Sequence, residues 1–126
     1  MNKQDCFEIH HMEEIEVYER YDDFTAETSQ YPGKGDLQGL LYVALGLAGE
    51  AGEFANKVKK ILRDHNGQVT EDVRDKLVGE LGDVLWYVSR AAQELGTSLF
   101  YVKHHNVEKL RSRRERNTIS GTGDDR

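Results

Sequence analysis

The chain has 126 residues, of which 37% are hydrophobic and 32% charged, with a formal net charge of −6. That length suits one domain with a modest core, and the acidic balance argues against nucleic acid as the main partner. No stretch approaches the roughly 18 consecutive apolar residues a membrane span needs, and the single cysteine, Cys6, allows no internal disulfide.

A single proline, Pro32, and little strand-type alternation predict an all-α fold. The expectation is a bundle of about four helices per chain, its core completed by oligomerisation because apolar content is lean for a compact domain. Residues 1–13 read as a ragged or disordered start, with Phe7, Ile9 and Met12 scattered among polar groups. Their polar, acidic character lacks the apolar segment of a signal peptide, so a cytoplasmic location is expected. His10 and His11 are adjacent and have no histidine at i+4, so they do not read as metal ligands.

The helical domain is expected over residues 14–116. A first helix is predicted from Glu14 to Thr28, with Val17, Tyr21 and Phe24 on one stripe, ended by Pro32, Gly33 and Gly35. Asp36 then reads as an N-cap. From Leu37 to about Arg63 the apolar residues keep a 3/4 rhythm and fall on one face of a wheel turning about 100° per residue. Glu50, Glu53, Lys57 and Lys60 sit on the flank of that face. Gly46, Gly49 and Gly52 interrupt it, each at a cost of roughly 0.5–1 kcal/mol relative to alanine. Close approach of a nucleotide or of a partner helix would account for them.

Asn66-Gly67 marks a turn. Thr70 reads as the cap of a third helix, Glu71 to Leu95, whose main apolar face comprises Leu77, Leu81, Val84, Val88, Ala91 and Leu95. Glu80 and Asp83 border this face, with Tyr87 and Lys76 nearby. Trp86 points away from it and would need a second surface, either a subunit interface or a nucleobase pocket. After Gly96, Thr97 or Ser98 caps a fourth helix to about Arg114. Leu99, Val102, Leu110, Asn106 and Arg113 share one of its faces, with Lys109 at the edge. Residues 117–126 are rich in Gly, Ser and Thr and read as a tail.

The chemistry lies in two acidic pairs. Glu50 and Glu53 are three residues apart, as are Glu80 and Asp83, and that spacing puts each pair on one helix face. An Asn-Gly turn between the helices makes them antiparallel neighbours, although the spacing leaves their register open. If the acids meet, four carboxylates need a cation, and hard oxygen ligands suit Mg²⁺ or Mn²⁺. Such an ion could clamp phosphate oxygens and lower the pKa of a bound water, with Glu50 or Glu53 taking the proton. Lys57, Lys60, Lys109 and Arg113 offer positive charge for a polyphosphate. A di-iron bundle is disfavoured because no Glu-x-x-His follows, and no P-loop is present.

The segments Leu45 to Glu53, Lys57 to Lys60 and Gly79 to Tyr87 resemble the MazG-like family of all-α nucleoside triphosphate pyrophosphohydrolases, whose signature is ExxE, a spacer, then ExxD. The likeness continues through Asn106 to Leu110 and into Ser120 to Arg126, the ending of short single-domain members. Two positions depart from it: Asp125 stands where asparagine is usual, and Asn117 where glycine is common. The resemblance implies metal ligation by Glu50, Glu53, Glu80 and Asp83. It implies hydrolysis of an NTP or dNTP, an acid anhydride, to the monophosphate and pyrophosphate. It further implies phosphate or nucleotide contacts from Lys57, Lys60, Asn106 and Lys109, with Tyr87 and Trp86 as additional contacts. On this reading the tail folds over the active site, and the chain works as a homodimer or a dimer of dimers. The alternative from a different class is a non-catalytic helical interaction module, or a weak nucleic-acid binder using the basic run Lys103 to Arg116.

Overall fold

A computed structural model describes residues 20–124. Residues 1–13, the first half of the helix expected from Glu14 (Val17 included) and the last two residues of the tail lie outside the described residues. The described chain folds into α1 (Tyr21–Thr28), α2 (Leu37–Asp64), α3 (Glu71–Glu94) and α4 (Leu99–Glu115), with no strand among these residues. The long antiparallel hairpin of α2 and α3 forms the body. Short α1 and the start of α4 pack on α3.

The caps follow the local sequence. Thr70 Oγ1 accepts from Val73 N at 3.3 Å and Ser98 Oγ accepts from Tyr101 N at 3.1 Å, each satisfying an amide that the helix leaves unpaired. Asp36 occupies the N-cap of α2 without a side-chain cap bond. The α2–α3 turn closes through His65 N and Gly67 N, which both donate to Ile61 O. It places Asn66 at φ 51° and Gly67 at φ 72°, left-handed conformations that asparagine and glycine tolerate best.

The single apolar face expected on α2 is two seams. Leu40, Val43, Leu47, Glu50, Phe54, Lys57 and Ile61 are buried or half-buried and face α3. Glu50 and Lys57 therefore belong to the packed seam itself and not to its flank. A second row, Leu41, Leu45, Ala48, Gly52, Ala55 and Leu62, is exposed. The inward row of α3 is Val73, Leu77, Glu80, Val84, Tyr87, Ala91 and Glu94. Leu81 and Leu95, expected on the main face, are exposed.

At α1 the expected stripe is also corrected. Phe24 is half exposed and Thr25 is buried instead. Polar groups dock the helix: Thr25 Oγ1 lies 2.9 Å from Ser89 Oγ, and Ser89 donates to Asp22. Asp22 Oδ2 also accepts from Leu99 N at 2.9 Å, so one carboxylate ties α1 to α3 and to the first turn of α4. The loop before α2 is fastened to the far end of α3. Tyr31 donates to Glu94 Oε1, and Gly35 N donates to Glu94 Oε2 at 2.9 Å. Gly39 is buried, and a Cβ there would collide with the carbonyl of Gly33.

Candidate active site

The hairpin register decides which acids meet. Side-chain oxygens of Glu50 on α2 and of Glu80 and Asp83 on α3 lie within 4.8 Å of one another. Glu50 and Glu80 are half-buried and Asp83 is exposed, so the group opens to solvent on one side. The fourth expected ligand, Glu53, is exposed and falls outside this group of three. Being three residues on, it sits almost a turn further along α2, where α3 offers Glu80 to Lys57 instead.

Electrostatics records the crowding. The Glu50 carboxyl is held above its ordinary value, first by burial and then by Asp83, Glu80 and Glu53, with Lys57 opposing. Like charges this close disfavour ionisation unless a cation joins them. Part of that cation is internal: Lys57 Nζ donates to Glu80 Oε1, and this hydrogen bond is the main reason the Lys57 ammonium is pushed up. Lys57, expected as a phosphate contact, thus begins as a partner of one of the acids. An oxygen donor set of three carboxylates with an excess of negative charge fits a small hard divalent ion.

Two tyrosines border the group. Tyr87 is pushed up by burial and then by Tyr42, Glu50 and Asp83. Tyr21 is pushed up by burial, by Asp22 and by Asp83. Tyr21 was legible in the sequence only as an apolar stripe residue of the first helix. Nothing in its spacing from the acidic pairs shows that α1 brings it to Asp83. Tyr87 also accounts for Gly46: a Cβ at position 46 would come within 2.7 Å of Tyr87 Cδ1 and closer still to the rest of the ring edge. Gly49 and Gly52 face open space within this chain.

Trp86 does not wait for a second surface. Its Nε1 donates to Thr28 Oγ1 at 2.8 Å, and its ring stands edge-on to Tyr87 with centroids 4.9 Å apart. Lys57 and Lys60 line a groove of about 250 Å³ beside the α2–α3 turn, together with Lys76, His65, Ile61 and Leu77. Asn106 is exposed on α4. Lys109 and Arg113 both pair with Asp124 of the tail, at 2.8 and 3.3 Å. The tail therefore lies against α4 of its own chain.

Residues 38–118 match the profile of the MazG nucleotide pyrophosphohydrolase domain. The chain belongs to the MazG family. A relative, the Gene 37 protein of Mycobacterium phage L5, is 51% identical over 109 residues, covering 84% of this chain and 96% of that protein. No solved structure matches the chain. The match spans α2, α3 and α4, so the MazG segment includes the carboxylate group and the basic end of α4. No described helix is long and apolar enough to cross a membrane.

Proposed function

We propose that the protein is a Mg²⁺-dependent pyrophosphohydrolase that converts NTPs or dNTPs to the monophosphate and pyrophosphate in the cytoplasm. The observation that carries this reading is the meeting of Glu50, Glu80 and Asp83 within 4.8 Å, on adjacent helices of a MazG domain. These three would hold the ion, Mg²⁺ or Mn²⁺, which when bound neutralises phosphate charge and lowers the pKa of a bound water.

The chain's own residues divide the remaining work. Glu53, outside the group of three, is the carboxylate left to accept a proton from the attacking water. Lys57 passes from Glu80 to phosphate oxygens once an ion takes over the charge of the acids. Lys60, almost a turn further along α2 in the same groove, extends that positive lining away from the carboxylates. Tyr87 and Tyr21 fix the walls and keep water out of the inner side of the site. The nucleic-acid reading is weaker, because Arg111 pairs with Glu108 and both Lys109 and Arg113 pair with Asp124.

Incubating the protein with Mg²⁺ and a panel of NTPs and dNTPs, and measuring pyrophosphate, tests the assignment. Turnover of at least one nucleotide that Glu50→Gln and Asp83→Asn abolish is the expected result. A well-folded sample that turns over none of them rejects it. The reading includes a homo-oligomer, a dimer or a dimer of dimers, formed across the exposed seam of α2.

A further inference from the structure

Beyond its first residue, α4 is exposed everywhere except at Lys109 and Arg113. Positions 100, 103, 107, 110 and 114 recur in steps of three and four and so share one side of the helix. Phe100 on that side is 74% exposed, and Val107 and Leu110 are about half exposed. The chain turns back at Asn117, φ 55°, where Thr118 N donates to Arg113 O at 2.8 Å. That turn sets Ile119 beside the helix, and a groove of about 420 Å³ results, lined by Val107, Leu110, Ile119, Arg111 and Arg114. The groove thus pairs apolar side chains with two guanidinium groups. Its surroundings have the same sign: from Lys103 to Arg116 the chain carries six basic residues against two acids.

Such a groove suits an acidic segment with apolar anchors, and the chain supplies one. Residues 1–19 carry Phe7, Ile9, Met12, Ile15 and Val17 among six acids and a single lysine, Lys3, and so hold five of the chain's six excess negative charges. The groove is also within their reach. Asp22 Oδ2 accepts from Leu99 N at 2.9 Å, which fastens the start of α1 to the start of α4. From Leu99 to the groove, Val107 to Arg114, is about 12–22 Å along the helix at 1.5 Å per residue. Nineteen residues span about 28 Å as a helix and roughly 60 Å extended. We infer that residues 1–19 dock in the α4 groove of their own chain, with apolar side chains on Val107, Leu110 and Ile119 and carboxylates against Arg111 and Arg114. Tethering makes a weak contact sufficient, since it holds the segment at an effective concentration on the order of mM. The contact covers the basic run of α4 and involves neither the carboxylate group nor a nucleotide.

Cys6, the one cysteine of the chain, lets a nitroxide label enter the segment without mutation. Amide spectra of the labelled full chain, before and after reduction of the nitroxide with ascorbate, test the docking. The amides of Val107 to Arg114 and of Ile119 are expected to lose intensity while the label is paramagnetic. The loss should shrink when salt is raised from about 0.1 M to about 1 M, where the screening length falls to roughly 3 Å. It should vanish in the double variant Arg111→Glu, Arg114→Glu, whose changes lie at exposed positions. Broadening confined to α1 and the first turn of α4, with Val107 to Arg114 spared, overturns the inference. So does broadening that the double variant retains. A last sample combines nitroxide-labelled chains without ¹⁵N and unlabelled ¹⁵N chains, unfolded in urea and refolded together. Undiminished broadening at the groove there shows that a second copy supplies the segment, which overturns docking within one chain. No nucleotide or metal is present in any sample, so the result stands apart from the pyrophosphate-release assay.

Discussion

Glu50 and Glu53 sit less than one helical turn apart, yet the structure gives them different surroundings. Glu50 is packed between α2 and α3 against two acids, while Glu53 is exposed. Glu53→Gln is therefore expected to lower turnover by about 10²–10⁴-fold, the range for a lost general base, while Mg²⁺ affinity measured by calorimetry stays near that of the parent. Glu50→Gln should lose the metal affinity as well. The raised Glu50 carboxyl also predicts a pH dependence of stability. In the window between the ordinary carboxylate value and the raised one, the folded metal-free protein holds a proton that the unfolded chain has released. Stability therefore falls as pH rises through that window. Glu94, held low by Tyr31 and Gly35, and Asp124, held low by Lys109 and Arg113, act in the opposite sense below the ordinary value. Their contribution is present above it and lost as pH falls through their folded values. Scanning calorimetry of the metal-free protein should show a Tm that rises as pH drops into the Glu50 window and declines in stronger acid. Glu50→Gln, or saturating Mg²⁺, should remove the upper limb and leave the lower one.

The helices were legible because their signals are local. Thr70, Ser98, Asn66-Gly67 and Gly96 mark boundaries through backbone chemistry that no distant contact overrides. The two acidic pairs were legible for the same reason, since i, i+3 spacing is a property of one helix. What the spacing left open was the register between helices, and this decides that Glu80 and Asp83 reach Glu50 but not Glu53. Nor could a wheel separate the two apolar rows of α2, because both lie on one broad face and only α3 chooses between them. The intrachain partner of Trp86 is out of reach of a wheel on the same ground: Thr28 is 58 residues away. The glycines now separate into two kinds. Gly46→Ala would drive a methyl into Tyr87 and should destabilise by about 1–3 kcal/mol, the usual cost of overpacking. Gly49→Ala meets nothing in this chain and should stabilise the isolated subunit by roughly 0.5–1 kcal/mol. Urea denaturation of both variants at low protein concentration checks the pair.

On the scale of the whole molecule, the core is thin. Tyr31, Val43, Ile61 and Ala92 are the buried apolar residues among those described, while Leu41, Leu45 and Leu62 on α2 are 57–76% exposed. Positions 41, 45, 48, 52, 55, 59 and 62 of α2 repeat with alternating spacings of four and three, the rhythm of a helix seam that meets another helix, and the middle of this seam is small, with Ala48, Gly52 and Ala55. A second copy seated there would cover the leucines and bring two α2 helices close at their centres. Leu45→Arg is expected to shift the protein to monomers in sedimentation velocity and to lower its Tm. An unchanged sedimentation coefficient would place the oligomer contact elsewhere.

Glu94 and Gly39 hold one end of the hairpin, and the capped turn at Gly67 holds the other. Between these fixed points α2 works as a ruler: eleven residues after Gly39, the chain must deliver Glu50 facing α3. Removing one residue from that interval turns everything beyond it by about 100° and lifts it by about 1.5 Å. Glu50 would leave the seam and a neighbour with no carboxylate would take its place. Lengthening the turn around Gln68 moves no part of either helix relative to the acids. Mutational tolerance in this fold should therefore follow phase more than chemistry: deletions between Gly39 and Glu50 should be more damaging than almost any substitution there, while insertions at the turn pass.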